Sequence, residues 1–232
     1  MTELAVLVPV LNRPQNVKPL VESFLAGCPE SAELHFLRAW NDFTEWEGLW
    51  VVLPHPRITA WACDAARTWP EKINYGVSNV PADWYLFAAD DVSFVPGWWE
   101  ATKELRDDPK VGVIGTNDSL HGAGNPRVAA GEHTCHPLVR SRYITDYGTV
   151  DHRGEAVHPG YRHWCVDDEL VWTAKLRGAW AFCRDAVVEH HHPYWQGGEG
   201  WDQTYALGEA HAQEDMELWR HRASSLLGLK FR

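Results

Sequence analysis

The chain has 232 residues, of which 45% are hydrophobic and 23% charged, enough to bury the core of a single α/β domain unaided. Its formal charge of −11 excludes broad electrostatic binding to nucleic acid, which needs a basic surface. No apolar run approaches the ~20 residues of a membrane span, and Met1-Thr2-Glu3 lacks a basic secretory start, so a cytoplasmic protein without membrane association is expected.

In chain order, Leu4 to Val10 is an unbroken apolar run suited to a central strand. It stops at Asn12-Arg13-Pro14. Val17, Leu20, Val21, Phe24 and Leu25 then recur at helical spacing and close on Gly27. Pro19 fits that helix only if it begins just before the proline. Leu34 to Leu37 and Trp50 to Leu53 predict two short strands, the first leading into Asn41-Asp42, and 60–69 reads as helix. Trp84 to Ala89 is a buried strand that ends on Asp90-Asp91. Pro96-Gly97 opens a helix and Lys110 to Gly115 is a strand, whereas 116–165 reads as long, polar and irregular, which inside a compact domain points to function. A helix begins near Asp167. Strands follow at Ala179 to Cys183 and Val187 to Glu189, the latter ending in His190-His191-His192, and a charged helix runs on from Trp201. The alternation of strands and helices predicts a mainly parallel sheet flanked by helices.

Five cysteines (28, 63, 135, 165 and 183) are scattered without Cys-x-x-Cys spacing, which argues against a disulfide framework or zinc knuckle and for small buried residues. Fourteen tryptophans exceed packing needs, and Trp40, Trp46, Trp164, Trp195 and Trp201, near polar loops, are candidates for stacking on a ligand. Between His121 and Cys165 stand five arginines (127, 140, 142, 153 and 162), four acids and six of the thirteen histidines. That stretch is suited to an anionic partner.

Carboxylates at a strand end suit a cation, and side chains alternate along a strand, so Asp90 and Asp91 face different ways; an acidic turn is the plainer alternative. There is no Gly-x-Gly-x-x-Gly and no phosphate-binding Gly-x-x-x-x-Gly-Lys loop. Read by themselves, the acids at 167–169 are first of all helix caps that complement the dipole.

Taken together, these segments resemble the GT-A glycosyltransferases, in particular the family 2-like group, over nearly the whole chain. Val8-Pro9-Val10-Leu11-Asn12-Arg13-Pro14 is similar to the opening strand and first donor loop, which implies donor contacts from Pro9, Asn12 and Arg13. Asp42 falls where such enzymes hold the nucleotide base, and Lys72-Ile73-Asn74-Tyr75-Gly76 resembles the Asn-x-Gly element that lines the diphosphate, implicating Lys72 and Asn74. Ala88-Ala89-Asp90-Asp91 stands at the Asp-x-Asp position, with Ala88 replacing its first acid; Asp91 is the implied metal ligand and Asp90 a ribose or metal contact. Val166-Asp167-Asp168-Glu169-Leu170 resembles the Glu-Asp-x-Glu-Leu element, which makes Asp167 the implied general base and Asp168 the reserve. Val188 to Pro193 resembles the late strand end that supplies a metal histidine, His190 first and His192 second.

The resemblance implies an inverting, metal-dependent transfer from a nucleotide-diphosphate sugar, with UDP-sugar as the expected donor, to a hydroxyl acceptor. A mixed carboxylate and imidazole set favours Mn²⁺ over Mg²⁺. Residues 1–115 would bind the donor and 116–232 the acceptor, within one domain. Size and loop composition also look similar to small phage-encoded glycosyltransferases, which would place the protein in the host cytoplasm with hydroxymethylated DNA bases among possible acceptors; a protein or glycan acceptor is the alternative. Rival readings are a zinc hydrolase using Asp91, His190 and His192 with Asp167 as base, a nucleotidyltransferase, and a non-catalytic sugar-binding protein. The sequence is silent on oligomeric state.

Overall fold

The computed structural model describes residues 2–11, 13–39, 49, 52–63, 68–119, 124–195 and 200–229. Asn12 and Asp42, two of the implied donor contacts, and Trp40 and Trp46 lie outside them. Among the described residues eight strands form one sheet in the order β3-β2-β1-β4-β7-β6-β8-β5.

β1 (Thr2–Pro9) pairs in parallel with β2 (Ala32–Ala39) and with β4 (Ala82–Phe87), and β2 with β3 (Ile58–Cys63). β7 (Leu138–Arg140) runs antiparallel between β4 and β6 (Val113–Asn117), and β8 (Trp180–His190) is parallel to β6. β5 (Val92–Phe94) closes the far edge antiparallel to β8. The expected sheet is therefore present, as a mixed and mainly parallel one whose strands come from both halves of the chain.

Leu4 to Val8 are fully buried because both faces of β1 are covered. Leu4, Val6 and Val8 pack under α1 (Pro14–Gly27) with Phe24, Trp98 and Trp99, while Ala5 and Leu7 face Ile73 of α2 (Trp69–Asn79), Leu170 of α7 (Val166–Leu176) and Trp219 of α8 (Gln203–Ser225). Each large apolar side chain so buried contributes about 1.5–3 kcal/mol.

Five expectations are corrected. α1 begins at Pro14, not next to Pro19; Pro19 sits on the exposed face, where the carbonyl it leaves unpaired meets water. Residues 60–63 belong to β3, because they complete a parallel ladder with β2 (Phe36 beside Ala60, Ala39 beside Cys63), and the helix starts only at Trp69. Its start is marked by a capping box: Thr68 Oγ1 accepts from Glu71 N–H and Glu71 Oε2 accepts from Thr68 N–H. At the strand expected for 50–53, the described residues Leu49, Val52 and Leu53 make a turn, with both later amides bonded to Leu49 O. The stretch 116–165 is not irregular throughout: it holds β7, α5 (Pro126–Ala129) and α6 (Ser141–Asp146), and the two strands expected after 179 are one, β8. Two short helices, α3 (Trp98–Ala101) and α4 (Lys103–Asp107), follow Gly97. No described helix is long and apolar enough to cross a membrane.

Candidate functional site

β1, β4, β6 and β8 run the same way, so their carboxyl ends meet at one edge of the sheet, the edge where ligands of open α/β sheets bind. Asp90 and Asp91 follow β4, Asp118 follows β6 and His190 ends β8. Two main-chain bonds fix their spacing: His190 N–H donates to Asp118 O at 2.9 Å and His191 N–H to Asp91 O at 2.8 Å. β5 pairs Val92 with His190, which sets Asp91 against the same histidine. His190 Nε2 lies 3.5 Å from Asp91 Oδ1, both side chains being nearly buried. His191 turns outward to Ser93 Oγ at 2.7 Å. His192 comes back to the inner side, 5.4 Å from the His190 ring and 4.7 Å from the Tyr205 ring, the alternation of an extended chain.

Arg13, at the mouth of α1, is buried among these acids. Its Nη2 is 2.9 Å from Asp90 Oδ1, its Nη1 3.6 Å from Asp91 Oδ2, and its guanidinium lies 4.3 Å from the Tyr205 ring centroid. The Tyr205 hydroxyl donates to Asp91 Oδ2 at 2.7 Å. The two neighbouring carboxylates respond oppositely. Burial, reinforced by Asp91 and only partly opposed by Arg13, pushes Asp90 up to about 7. Asp91 is held well below the ordinary carboxylate range because His190, Arg13 and Tyr205 outweigh its burial. His190 is raised: burial alone would lower it, but Asp91 and Asp118 favour its charged form. Burial and the neighbouring His190 take His136 down to about 3 and His192 to about 4.

Several polar atoms here are buried without a hydrogen-bond partner among the described residues: His190 Nδ1 and both nitrogens of His136, while Asp91 Oδ1 has only the 3.5 Å approach of His190 Nε2. Such atoms are costly unless something else meets them. A divalent cation would, and the residues fit one: carboxylate oxygens with imidazole nitrogen form a donor set suited to Mn²⁺.

A second acidic group sits at the start of α7. Cys165, its N-cap, has φ 63°, a left-handed conformation that a non-glycine residue adopts only when its surroundings impose it. Asp215 of α8 supplies the constraint, accepting the backbone N–H groups of Arg162, His163 and Trp164, each at 2.8 Å. The first three acids of α7 then separate by partner. Asp167 Oδ2 is 3.0 Å from His133 Nε2. Asp168 Oδ1 is paired with Arg127 at 2.7 Å. Glu169 faces inward to Arg222 at 2.7 and 2.8 Å and accepts from Tyr161 at 2.8 Å. Burial would raise Asp167, yet His133, the Asp168 amide and Arg127 together bring it below its ordinary value; Asp168 is raised by burial and by Asp167. An acid that stays ionised beside a histidine, with its side chain 30% exposed, can accept a proton from a hydroxyl at the mouth of the site.

Cys135 joins the two groups. The ligand atoms of Asp118, Cys135 and His190 all lie within 4.8 Å of one another, as do those of His133, Cys135 and Asp167. Asp91, the histidines and Asp167 thus belong to one contiguous cluster.

Other sequence candidates are engaged elsewhere. Asn74 spends its amide on the loop before α7, donating to Val157 O at 2.8 Å and accepting from Ala156 and Val157 N–H at 3.0 and 3.1 Å. Lys72 is fully buried and donates to Val10 O at 2.8 Å, bracing the turn after β1, and Pro9 ends that strand beside Leu37. The five arginines do not gather into one surface. Arg140, opposite Trp84 at the amino end of β4, bonds the carbonyls of Arg106, Asp108 and Val111, and Arg142 pairs with Asp146. A surface cavity of about 330 Å³ between them lies at the end of the sheet remote from the acids.

The sequence does not single out Asp118, His133, Cys135, His136 or Tyr205 as site members, and Arg127, expected to face an anionic partner, pairs instead with Asp168. The run His133-Thr134-Cys135-His136 carries the local signal, three imidazole and thiol donors within four residues.

No protein-family model matches the chain, and no curated protein matches it by sequence. Solved structures do. A mannosyltransferase from Pyrobaculum calidifontis, in complex with GDP-Man and Mn²⁺, is similar over 95% of this chain at 14% identity with a TM-score of 0.68. This chain spans 64% of that enzyme's length. Glucosyl-3-phosphoglycerate synthase from Mycobacterium tuberculosis, in complex with Mn²⁺, UDP-Glc and phosphoglyceric acid, matches over 99% of this chain and 81% of its own at 12% identity, TM-score 0.63. The architecture is therefore that of the GT-A glycosyltransferases.

Proposed function

We propose that the protein is a divalent-cation-dependent glycosyltransferase that moves a sugar, with inversion, from a nucleoside diphosphate sugar to a hydroxyl acceptor. The observation that carries this is the contiguity of the Asp91–His190 pair and the Asp167–His133 pair at the carboxyl edge of a GT-A sheet. Asp91 and His190 would hold the cation, with Asp90 and His192 beside them. A bound cation neutralises the charge that develops on the departing diphosphate. Arg13 adds a fixed positive charge at the same place. Asp167 takes the acceptor proton, and a base poised for direct attack gives an inverted product; His133 orients that carboxylate. Asp168, neutralised by Arg127, is the reserve.

Residues 1–115 are read as the donor half and 116–232 as the acceptor half of one domain. Donors carrying UDP and GDP are the first to test, because the structural neighbours were solved with each, and Mn²⁺ is the favoured ion on the donor chemistry. A hydroxymethylated base of phage DNA is the less favoured acceptor: Arg140 and Arg142 lie at the wrong end of the sheet for a phosphate backbone that reaches Asp167. Exposed aromatics beside His192, Tyr194 at 48% and Trp201 at 42%, suit a sugar ring instead.

The test is a screen of nucleotide sugars with and without Mn²⁺, scoring nucleoside diphosphate release with simple glycosides, protein and hydroxymethylcytosine DNA as acceptors. Cation-dependent release that requires an acceptor supports the proposal. Release without any sugar transfer would instead make the protein a hydrolase.

A further inference from the structure

Cys135 has no part in the chemistry proposed above, yet it lies at the junction of the site's two acidic groups. Its thiol donates to Asp118 Oδ2 at 3.7 Å and accepts from Asn125 Nδ2 at 3.9 Å. On its other side stand His133 and Asp167, already 3.0 Å apart. Donor atoms around a tetrahedral Zn²⁺ are separated by roughly 3.3–3.8 Å, given bond lengths of about 2.0–2.3 Å. The three ligand atoms here fall within 4.8 Å of one another, a spread that rotamer-scale movement closes. His133 is 2% exposed and its Nδ1 has no hydrogen-bond partner among the described residues. Cys135 and Asp167 are both partly open to solvent, which gives an ion a way in.

We propose that His133, Cys135 and Asp167 form a second cation site, for a thiophilic divalent ion of the zinc class, whose occupation removes Asp167 from use as a base. The inhibitory half of this rests on the proposed role of Asp167; the binding half does not. Ligand softness separates it from the site at Asp91 and His190. That pair offers oxygen and nitrogen, which suit Mn²⁺, whereas a sulfur donor selects against that harder ion and for zinc. Cys135 also has Asp118 and His190 in reach, but His190 is committed to Asp91, so the face toward His133 is the one available. On binding, the Cys135 S–H bond breaks, its proton passes to solvent and the thiolate sulfur bonds the ion. His133 binds through a bare ring nitrogen and carries its remaining proton on the other. The Asp167 carboxylate bonds the ion in place of the imidazole.

Co²⁺, a spectroscopic stand-in for zinc, tests this on the full chain with Mn²⁺ in excess to fill the site at Asp91 and His190. The wild type should develop a near-ultraviolet thiolate-to-cobalt charge-transfer band at one equivalent. The band should be absent in Cys135→Ser, need at least tenfold more Co²⁺ in Asp167→Asn, and be unmoved in Asp118→Asn. Zn²⁺ should bleach the band and stop sugar transfer over the same concentration range, while any turnover left in Cys135→Ser should be indifferent to zinc. No band in the wild type, or a band that survives Cys135→Ser, overturns the site. A band with the expected variant pattern while Zn²⁺ leaves transfer intact retains the site and overturns the assignment of Asp167 as base. Should no donor be turned over at all, the cobalt titration still decides the site alone.

Discussion

The Tyr205 hydroxyl donates a 2.7 Å hydrogen bond to Asp91 Oδ2 across 114 residues of sequence. It joins the first turn of α8 to the end of β4, and the same ring supports the Arg13 guanidinium. A hydrogen bond to a charged group contributes about 1.5–3 kcal/mol. Tyr205→Phe keeps the ring under Arg13 and should lower unfolding stability in urea by that amount. An unchanged midpoint and slope would show that the bond adds nothing net.

Cation binding gives the sharper test of the same corner. A ligand at about 100 times its dissociation constant stabilises the folded state by about 2.7 kcal/mol. Wild-type protein should show a gain of that order on addition of Mn²⁺ with a nucleoside diphosphate. Asp91→Asn and His190→Ala, which each remove one implied ligand, should lose it while melting as folded proteins without the ion. A full gain in Asp91→Asn would place the cation elsewhere.

The parts of this arrangement that were legible in sequence are those written in consecutive residues. A saturated apolar strand ending on Asp90-Asp91, a triplet of histidines at a strand end and acids opening a helix all announce themselves locally. What was not legible depends on which strands become neighbours. β7 is three residues long and inserts between β4 and β6; nothing in Leu138-Val139-Arg140 distinguishes it from a loop, yet it makes 116–165 part of the sheet and carries His133, Cys135 and His136 to the edge. β3 was misread because Ala60, Trp61 and Ala62 have no alternation to separate a strand from a helix, and tertiary pairing decided. Asn74 fitted a family pattern, but its amide is satisfied by the 156–157 loop, a partner over eighty residues away. Tyr205 sits in an uncharged first turn and Asp215 in a charged run of the same helix, and neither stretch sets its residue apart from its neighbours.

Asp167 and Asp168 are adjacent and differ in their counter-groups, which makes their roles separable. A general base contributes about 10²- to 10⁴-fold, so Asp167→Asn should lower kcat within that range and leave donor affinity unchanged by calorimetry. Asp168→Asn gives up a pairing with Arg127, a half-exposed residue, and should cost much less in kcat. If the two costs are reversed, Asp168 is the base and Asp167 its orienting neighbour.

The position of both acids depends in turn on Arg222. This residue, 6% exposed, grips Glu169 at 2.7 and 2.8 Å and Asp151 with two bonds of 2.8 Å, tying α8 to the first turn of α7. Removing one partner of a buried pair costs about 3–5 kcal/mol because the other charge is stranded. Arg222→Met should therefore destabilise the protein by that much and lower kcat indirectly, through the turn that aims Asp167. Its pH signature follows from Asp151, which hydrogen bonds from Arg222 hold far below the ordinary carboxylate value despite some burial. A depressed acid contributes its full stability above the unfolded value of about 3.9 and loses it as pH falls toward the folded one. His158 acts in the same sense from higher pH: burial and the Arg222 charge lower it, so acid favours the unfolded chain once pH drops below about 6.5. These two groups should thus lower wild-type stability between about pH 6.5 and 2, against the opposite contribution of Asp90, whose raised carboxyl binds its proton in the folded state first, and Arg222→Met should flatten the lower part of their share. Urea midpoints at pH 7, 5 and 3 check it; parallel curves for the two proteins would mean that Asp151 draws its low value from something other than Arg222.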